Sequence, residues 1–407
     1  MRRCRPAQRT ALLALGIAVA LTGCGKGASR SAVSSEGPAR RLAPVLAPGA
    51  VSVATRNTTR LGGGSTAADA AAIARTVYPG LTASSRPGAA VVVDEHDWAG
   101  ALSGSVLAGA PTDAPILYAS GQTLPDVSSE TLAALHPSGL AALGGAQVIE
   151  IGTSAAVPAG LLVHTVGTGE PAVTAAAVES LLVAADGGAQ PRKVIVVAAN
   201  APRALQMPAA GLAAESGAPI LFVTRARVPP PTSTVLSGLH NPSIYVIGAA
   251  QVGGRTLDEL RHFGHVAVVS SGASESASPA GNAIAVSRFT DGSFGWGVKE
   301  PGHGLAFANA GRPLDGPAAA PLSASGDYAP LLLLEAPAPL PAPLVSYLSD
   351  LQPAAPPSGP VRGFYNHGWL IGGEAAIAAV TQAEIDSLLE ISPRRQSSEE
   401  AAVSQSE

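Results

Sequence analysis

Hydrophobic residues in this chain gather into short unbroken runs set among small-residue stretches, and the arrangement occurs three times. The first copy has an apolar run at 89–93 (AAVVV), a polar turn from Asp94 to Asp97, a small-residue helical stretch at 98–108, and a run entered through Pro115 at 114–118. The second has KVIVVA at 193–198, a turn with Asn200 and Pro202, a helical stretch at 205–214, and a run entered through Pro219 at 218–223. The third has GLAFAN at 304–309, a turn with Arg312 and Pro313, a helical stretch at 314–322, and a run entered through Pro330 at 329–334. Each copy closes with an apolar run that reaches a glycine, at 147–152, 243–248 and 368–373. A helix-like stretch precedes that closing run, clearest at 129–135 and 343–351. Runs such as VIVVA and LLLL lack polar alternation, which fits strands buried on both faces of a parallel sheet. Strands alternating with helices indicate βαβ units, whose crossovers are right-handed.

A further helix is expected ahead of each copy. Arg60-Leu61-Gly62-Gly63 is followed by TAADAAAIARTV at 66–77, which Thr66 can cap. Weaker versions follow His164-Thr165-Val166-Gly167, at 173–185, and occupy 280–288. The predicted fold class is therefore α/β, with three tandem Rossmann-like βαβ modules. The expected boundaries are 52–162, 163–265 and 266–391.

The N-terminus carries a different pattern. Arg2, Arg3, Arg5 and Arg9 precede an apolar run, ALLALGIAVAL at 11–21, and then Leu21-Thr22-Gly23-Cys24. A positive start and an apolar core of about 7–15 residues describe a secretory signal. A membrane-spanning helix needs about 20 apolar residues. The small residues before Cys24 match a bacterial lipobox, in which the cysteine thiol takes a diacylglycerol group. Residues 1–23 are thus expected to be a cleaved lipoprotein signal and Cys24 the lipidation site, placing the chain on the extracytoplasmic face of a membrane. One acyl chain anchors only marginally, and a di- or triacylated cysteine suffices. Residues 24–51, rich in Ser, Pro, Gly, Ala and Arg, read as a flexible tether. Residues 392–407 read as a disordered polar tail.

Composition narrows the function classes. Hydrophobic residues make up 46% and charged residues only 13%, much of the apolar share being Ala. A net charge of −4 argues against a nucleic-acid binder, which usually presents a basic domain. Once Cys4 is removed with the signal, Cys24 is the last cysteine and is itself modified, so no disulfide framework or cysteine metal site is expected.

The repeated unit, R-L-G-G, then T-A and A-I-A, a strand, D-x-x-x-A-L-S, a small helix, A-P-I-L and a strand ending I-G, resembles the cell wall-binding repeat 2 family. The residues that carry the resemblance are Arg60 to Gly63, Ala71 to Ala74, Asp97 to Ser103 and Ala114 to Leu117 in the first copy. They are Ala218 to Leu221 and Val246 to Gly248 in the second, and Asp315 to Ala319, Ala329 to Leu332 and Leu370 to Gly373 in the third. The resemblance implies three Rossmann-like modules packed as a pseudo-threefold trimer, non-covalent attachment to an anionic cell-wall polymer, and no cofactor. Two departures stand out, the lipid anchor and an insertion at 289–303 (FTDGSFGWGVKEPGH) in the third copy.

Candidate chemistry is sparse. The glycines at 62–64 lack the lysine of a P-loop and do not fit G-x-G-x-x-G, so a tight turn with a helix cap is the favoured reading. Asp94, Glu95, His96 and Asp97 sit at the carboxyl end of a strand, where ligands of open α/β sheets bind, yet the other copies offer only Asn200 and Arg312 there. No G-x-S-x-G elbow occurs, and His262 and His265, a close pair, lack neighbouring ligands for a metal. Arginines enrich the second copy, and arginine suits phosphate and carboxylate. Arg60, Arg225, Arg227 and Trp296 are the candidate contacts to an anionic wall polymer or peptidoglycan, Trp296 as part of an aromatic loop that either binds a sugar or peptide or plugs the interface between copies. The expected protein is non-catalytic, with no metal, no cofactor and no nucleic-acid partner. An extracytoplasmic solute-binding lipoprotein and a degenerate envelope hydrolase using the Asp94 carboxylates are the alternatives.

Overall fold

Thirteen strands and twelve α-helices follow one another among the residues described by the computed structural model, which are 53–269, 277–325, 327–354 and 365–392. The chain begins with β1 (Val53–Ala54), β2 (Thr58–Leu61), α1 (Thr66–Val77), β3 (Ala90–Asp94), α2 (Trp98–Gly104), β4 (Ile116–Ala119), α3 (Asp126–Leu135) and β5 (Val148–Ile151). It continues with β6 (Val163–Val166), α4 (Pro171–Ala185), β7 (Lys193–Ala198), α5 (Arg203–Gln206), α6 (Pro208–Ser216), β8 (Ile220–Val223), α7 (Pro230–Gly238), β9 (Ser243–Val246), α8 (Gly254–Arg261) and β10 (His265–Val268). It ends with α9 (Pro279–Arg288), β11 (Gly304–Asn309), α10 (Asp315–Ala324), β12 (Leu331–Leu334), α11 (Ala342–Asp350), β13 (His367–Ile371) and α12 (Ala379–Leu389). The α/β class and the alternation of strands with helices are as expected. Helix α1 is capped by Ser65, whose side chain accepts from the Ala68 N–H, rather than by Thr66, which is already in the first turn.

The strands form three sheets, in the orders β4-β3-β5-β6, β10-β9-β7-β8 and β1-β2-β13-β11-β12. Every pairing is parallel except β1 with β2. The sheets do not follow the repeats of the sequence. Strand β6 opens the second repeat but pairs with β5 of the first, and β10 pairs with β9. Strand β2, at the start of the first repeat, pairs with β13 at the end of the third, with Arg60 opposite Leu370. Each sheet therefore takes its edge strand from the stretch that opens the next repeat, and the last sheet takes it from the first. The physical reason lies in the helix that follows each of these strands. Helix α1 leaves β2 and packs on β4, α3 and α10, with little contact to β2 itself.

The apolar runs are buried on both faces. Val91, Val93, Ala306, Ala308, Leu331 and Leu333 face one large core shared by all three sheets. Leu305, Phe307, Leu332, Leu334 and Leu370 face a second core with α11 and α12. Where the small-residue helices meet, Ala108, Ala214 and Ala320 form their own buried cluster; the three are equally spaced along the chain, one per repeat. Side chains larger than Ala would not fit such an approach. A Cβ on Gly109 would stand 2.0 Å from the Ala214 carbonyl oxygen.

The insertion at 289–303 is a plug. Phe294 is fully buried and stacks on Tyr245 of β9, with centroids 3.7 Å apart and planes 12° apart. The Tyr245 hydroxyl donates to Asp291, and Lys193 Nζ of β7 donates to Ser293. Trp296 is half-buried and packs against both of the large cores. The loop thus joins the second and third sheets, and Trp296 is placed as core packing rather than as an exposed stacking residue.

Candidate functional site

Parallel strands leave their backbone carbonyl ends, and the amino ends of the following helices, at one edge of the sheet. In the third sheet β11 sends α10 to the large shared core, where Ala318, Ala319 and Leu322 pack. Its neighbour β13 sends α12 to the other face, where Ile385 and Leu389 pack. The crevice between such diverging connections is where open α/β sheets bind ligands. A cavity of about 600 Å³ occupies it, lined by the glycines at 62–64 after β2, by Gly373 to Ala376 after β13, and by Arg60, Arg312 and Gln382.

Three charged side chains underlie this cavity. Asp69 of α1 accepts from the Gly63 N–H at 2.7 Å, which requires Gly62 in a left-handed conformation at φ 110°. A Cβ on Gly62 would collide with the Asp69 carboxylate. The Arg312 guanidinium pairs with Asp69 through Nη2 and with Asp315 through Nε, the latter at 2.8 Å. Asp69 and Asp315 are both fully buried. Burial pushes Asp315 up to about 7, reinforced by the neighbouring Asp69 and opposed by Arg312. Burial also raises Asp69, against the Gly63 N–H and Arg312. Arg312 itself is held protonated more firmly than usual: burial works against the charge, but the two carboxylates outweigh it. The Oδ1 atom of Asp315 is buried with no hydrogen-bond partner among the described residues.

Arg60 is not available to an external polymer. Its side chain is buried, with Nε and Nη2 donating to Gln382, Nη1 to the Gly372 carbonyl and Nη2 also to the Ile377 carbonyl. It ties the start of α12 to β2, and burial lowers its proton affinity, with Glu374 opposing. The sequence marked Arg60 by its motif, but the same motif serves packing here. With Asp69, Asp315 and Glu374 alongside Arg60 and Arg312, the cavity carries no excess of positive charge. That balance does not favour a polyanion.

Arg225 and Arg227 follow β8 at the carboxyl edge of the second sheet and are exposed. Arg225 Nη1 donates to the Ala250 carbonyl at 3.3 Å, while Arg227 makes no side-chain bond among the described residues. The four candidate polymer contacts thus split: two exposed arginines on one sheet, a buried arginine on another, and Trp296 half-buried against the two large cores. Cys24 lies outside the described residues.

The acidic turn after β3 is organised as a turn. The Asp94 carboxylate accepts from the His96 backbone and ring, which outweigh burial and lower its pKa. Asp97 caps α2 through the Gly100 N–H, and burial raises it. Glu95 accepts from Ser120. Among the described residues no group of three or more His, Cys, Asp or Glu is placed to hold a metal, and no helix is long and apolar enough to cross a membrane.

No family model matches the chain, and no curated protein matches it. Solved structures do. Cwp6 from Clostridium difficile superposes with a TM-score of 0.61 at 18% identity, over 84% of this chain and 51% of that one. Cwp8 from the same organism gives 0.60 at 17% identity, over 82% of this chain and 52% of that one. The likeness establishes the fold, and the chain spans about half the length of each of these cell wall proteins.

Proposed function

We propose that the protein is a non-catalytic, cell-wall-associated protein, anchored by a lipid at Cys24 on the extracytoplasmic face and contacting an anionic envelope polymer with its folded body. The observation that carries this reading is the extent of the shared fold: most of the described chain corresponds to half of Cwp6 or Cwp8, both cell wall proteins. The three repeats are read as modules about a pseudo-threefold axis through Ala108, Ala214 and Ala320. Of the candidate cationic contacts, Arg225 and Arg227 are the exposed ones. Guanidinium forks on a rigid sheet edge suit phosphate or carboxylate groups spaced along a polymer.

The test is retention of the unit from Leu46 to Glu407 on isolated walls, intact or stripped of anionic polymer. Intact walls should retain it more strongly than stripped walls. Replacing Arg225 and Arg227 with alanine should lower retention roughly tenfold, the loss of about 1.5 kcal/mol that a charge-assisted hydrogen bond contributes. Equal retention on both walls would sink the polymer reading. The cavity on the third sheet favours one second reading, a receptor for a small polar solute; saturating ligand would then raise Tm in proportion to the logarithm of its concentration.

A further inference from the structure

The chain is poor in aromatic residues, at 4% of the sequence. Among the described residues the exposed large hydrophobic side chains include just two aromatic ones, Tyr328 at 63% and Tyr365 at 56%. Both lie near Trp369, Tyr365 by way of the His367 ring and Tyr328 by way of its chain neighbour Asp327. Tyr365 stands two residues ahead of β13, while His367 and Trp369 alternate along it, with Trp369 half-buried at the rim of the shared core. Their rings form a ladder, with centroids 6.2 Å apart from Tyr365 to His367 and 4.7 Å from His367 to Trp369. Trp369 Nε1 donates to the Asp327 carboxylate at 2.7 Å, which brings the Asp327-Tyr328 turn to the same strand. Gly304, paired with His367 across β11, adds no side chain to the face.

We propose that this strip is a carbohydrate-binding surface, on which Tyr365, Trp369 and Tyr328 take the apolar faces of uncharged pyranose rings in a glycan strand. Tyr365 and Trp369 stand on either side of His367, two ring steps apart. Tilts of 59° and 67° between neighbouring rings suit a twisted chain rather than a flat one. Polar groups flank the rings as a polyhydroxyl ligand needs. The exposed Asp327 accepts hydroxyl protons, and Thr59 Oγ1 meets His367 Nε2 at 3.1 Å. No group bonded into the strip is cationic. Burial keeps His367 neutral, with Asp327 and Asp386 opposing. A polyanion therefore gains nothing here, which sets this surface apart from Arg225 and Arg227. Tyr328 adds an independent sign. It sits at φ 51°, a left-handed conformation that a bulky residue rarely adopts, and its ring makes no hydrogen bond or ring contact among the described residues. Packing does not explain why an exposed tyrosine is held there, whereas presenting its face to a ligand does.

The inference rests on the wall-associated reading for the source of the glycan, but it is tested separately. The Leu46–Glu407 unit is titrated with uncharged N-acetylglucosamine oligomers of increasing length, by tryptophan fluorescence and calorimetry, with a lysine-rich peptide as comparator. Saturable binding that strengthens with oligomer length is expected. Tyr365→Ala and Tyr328→Gly should each weaken it at least tenfold while Tm stays equal or, for Tyr328→Gly, rises. The Arg225→Ala, Arg227→Ala double variant should bind the oligomers as the parent does. No oligomer binding, equal binding by the tyrosine variants, or binding of the peptide alone overturns the strip. Equal retention on intact and stripped walls with oligomer binding intact overturns the polymer reading and leaves the strip standing.

Discussion

Two buried carboxylates around one guanidinium set the pH response of this protein. Asp69 and Asp315 both have their proton affinity raised by burial, Asp315 to about 7. A carboxyl whose folded pKa lies above its unfolded value holds an extra proton in the folded state. Its contribution to stability is complete below about pH 4, falls as pH rises, and is gone above the folded pKa. The sign is opposite to that of an ordinary salt-bridged aspartate. The share of Asp315 in the stability should therefore decline by about 3 kcal/mol between pH 5 and pH 8, at about 1.4 kcal/mol per pKa unit, which thermal unfolding of the parent against Asp315→Asn reads. Asp315→Asn should flatten the decline and stabilise the protein at pH 8. An unchanged slope in that variant would assign the effect elsewhere. None of this was legible in the sequence. Asp69 in TAADAAAIARTV reads as an acidic residue favoured in a first helical turn, and its partner Arg312 lies 243 residues away. Arg60 misled for a related reason: a motif arginine looks the same whether its fork meets a ligand or, as here, Gln382 and two backbone carbonyls.

Elements were far more legible than their partners. The apolar runs at 193–198 and 304–309 coincide with β7 and β11, and the stretch at 66–77 with α1. Unbroken hydrophobic runs and Ala-rich stretches are local signals, readable within a few residues. Sheet membership is not local. Strands β2, β6 and β10 have four residues each, and the sheet they join depends on where the following helix crosses. The insertion shows the same limit. Its glycines and aromatics fit a binding loop or a plug equally well, and only its contacts decide. Phe294 is buried against Tyr245 and Phe289, with Lys193 5.6 Å from its ring centroid. Phe294→Ala should destabilise the fold by about 3–5 kcal/mol, the usual result of emptying a buried aromatic site. In denaturant unfolding the midpoint should drop with the slope unchanged. A loop serving only as a ligand surface would leave that midpoint where it is.

The whole molecule is closed by its first strand. Three tandem modules in a linear row would each hold their own strands, and damage to the first would stay in the first. Here β2 completes the last sheet. The Gly368 N–H donates to the Asn57 carbonyl and the Gly372 N–H to the Leu61 carbonyl. Arg60 and Thr58 reach Gln382 of α12 from the same strand. Removing the chain through Leu61 would strip β13 of one of its two partners, leave Gln382 without Thr58 and Arg60, and open the cavity wall beside Gly373. Buried groups left unpaired cost about 1–3 kcal/mol each, so several at once amount to a large fraction of a typical folding free energy. The shared core spreads the loss, because β2 contributes Leu61 to the same cluster as Val196 and Ile149. The expected result by hydrogen exchange is loss of protection first at residues 367–372 and in α12, more than 300 residues from the cut, with β3 and β4 of the neighbouring sheet protected longer. Exchange that instead rose first at β3, the strand nearest the cut in sequence, would favour independent modules in a row and overturn the closed arrangement.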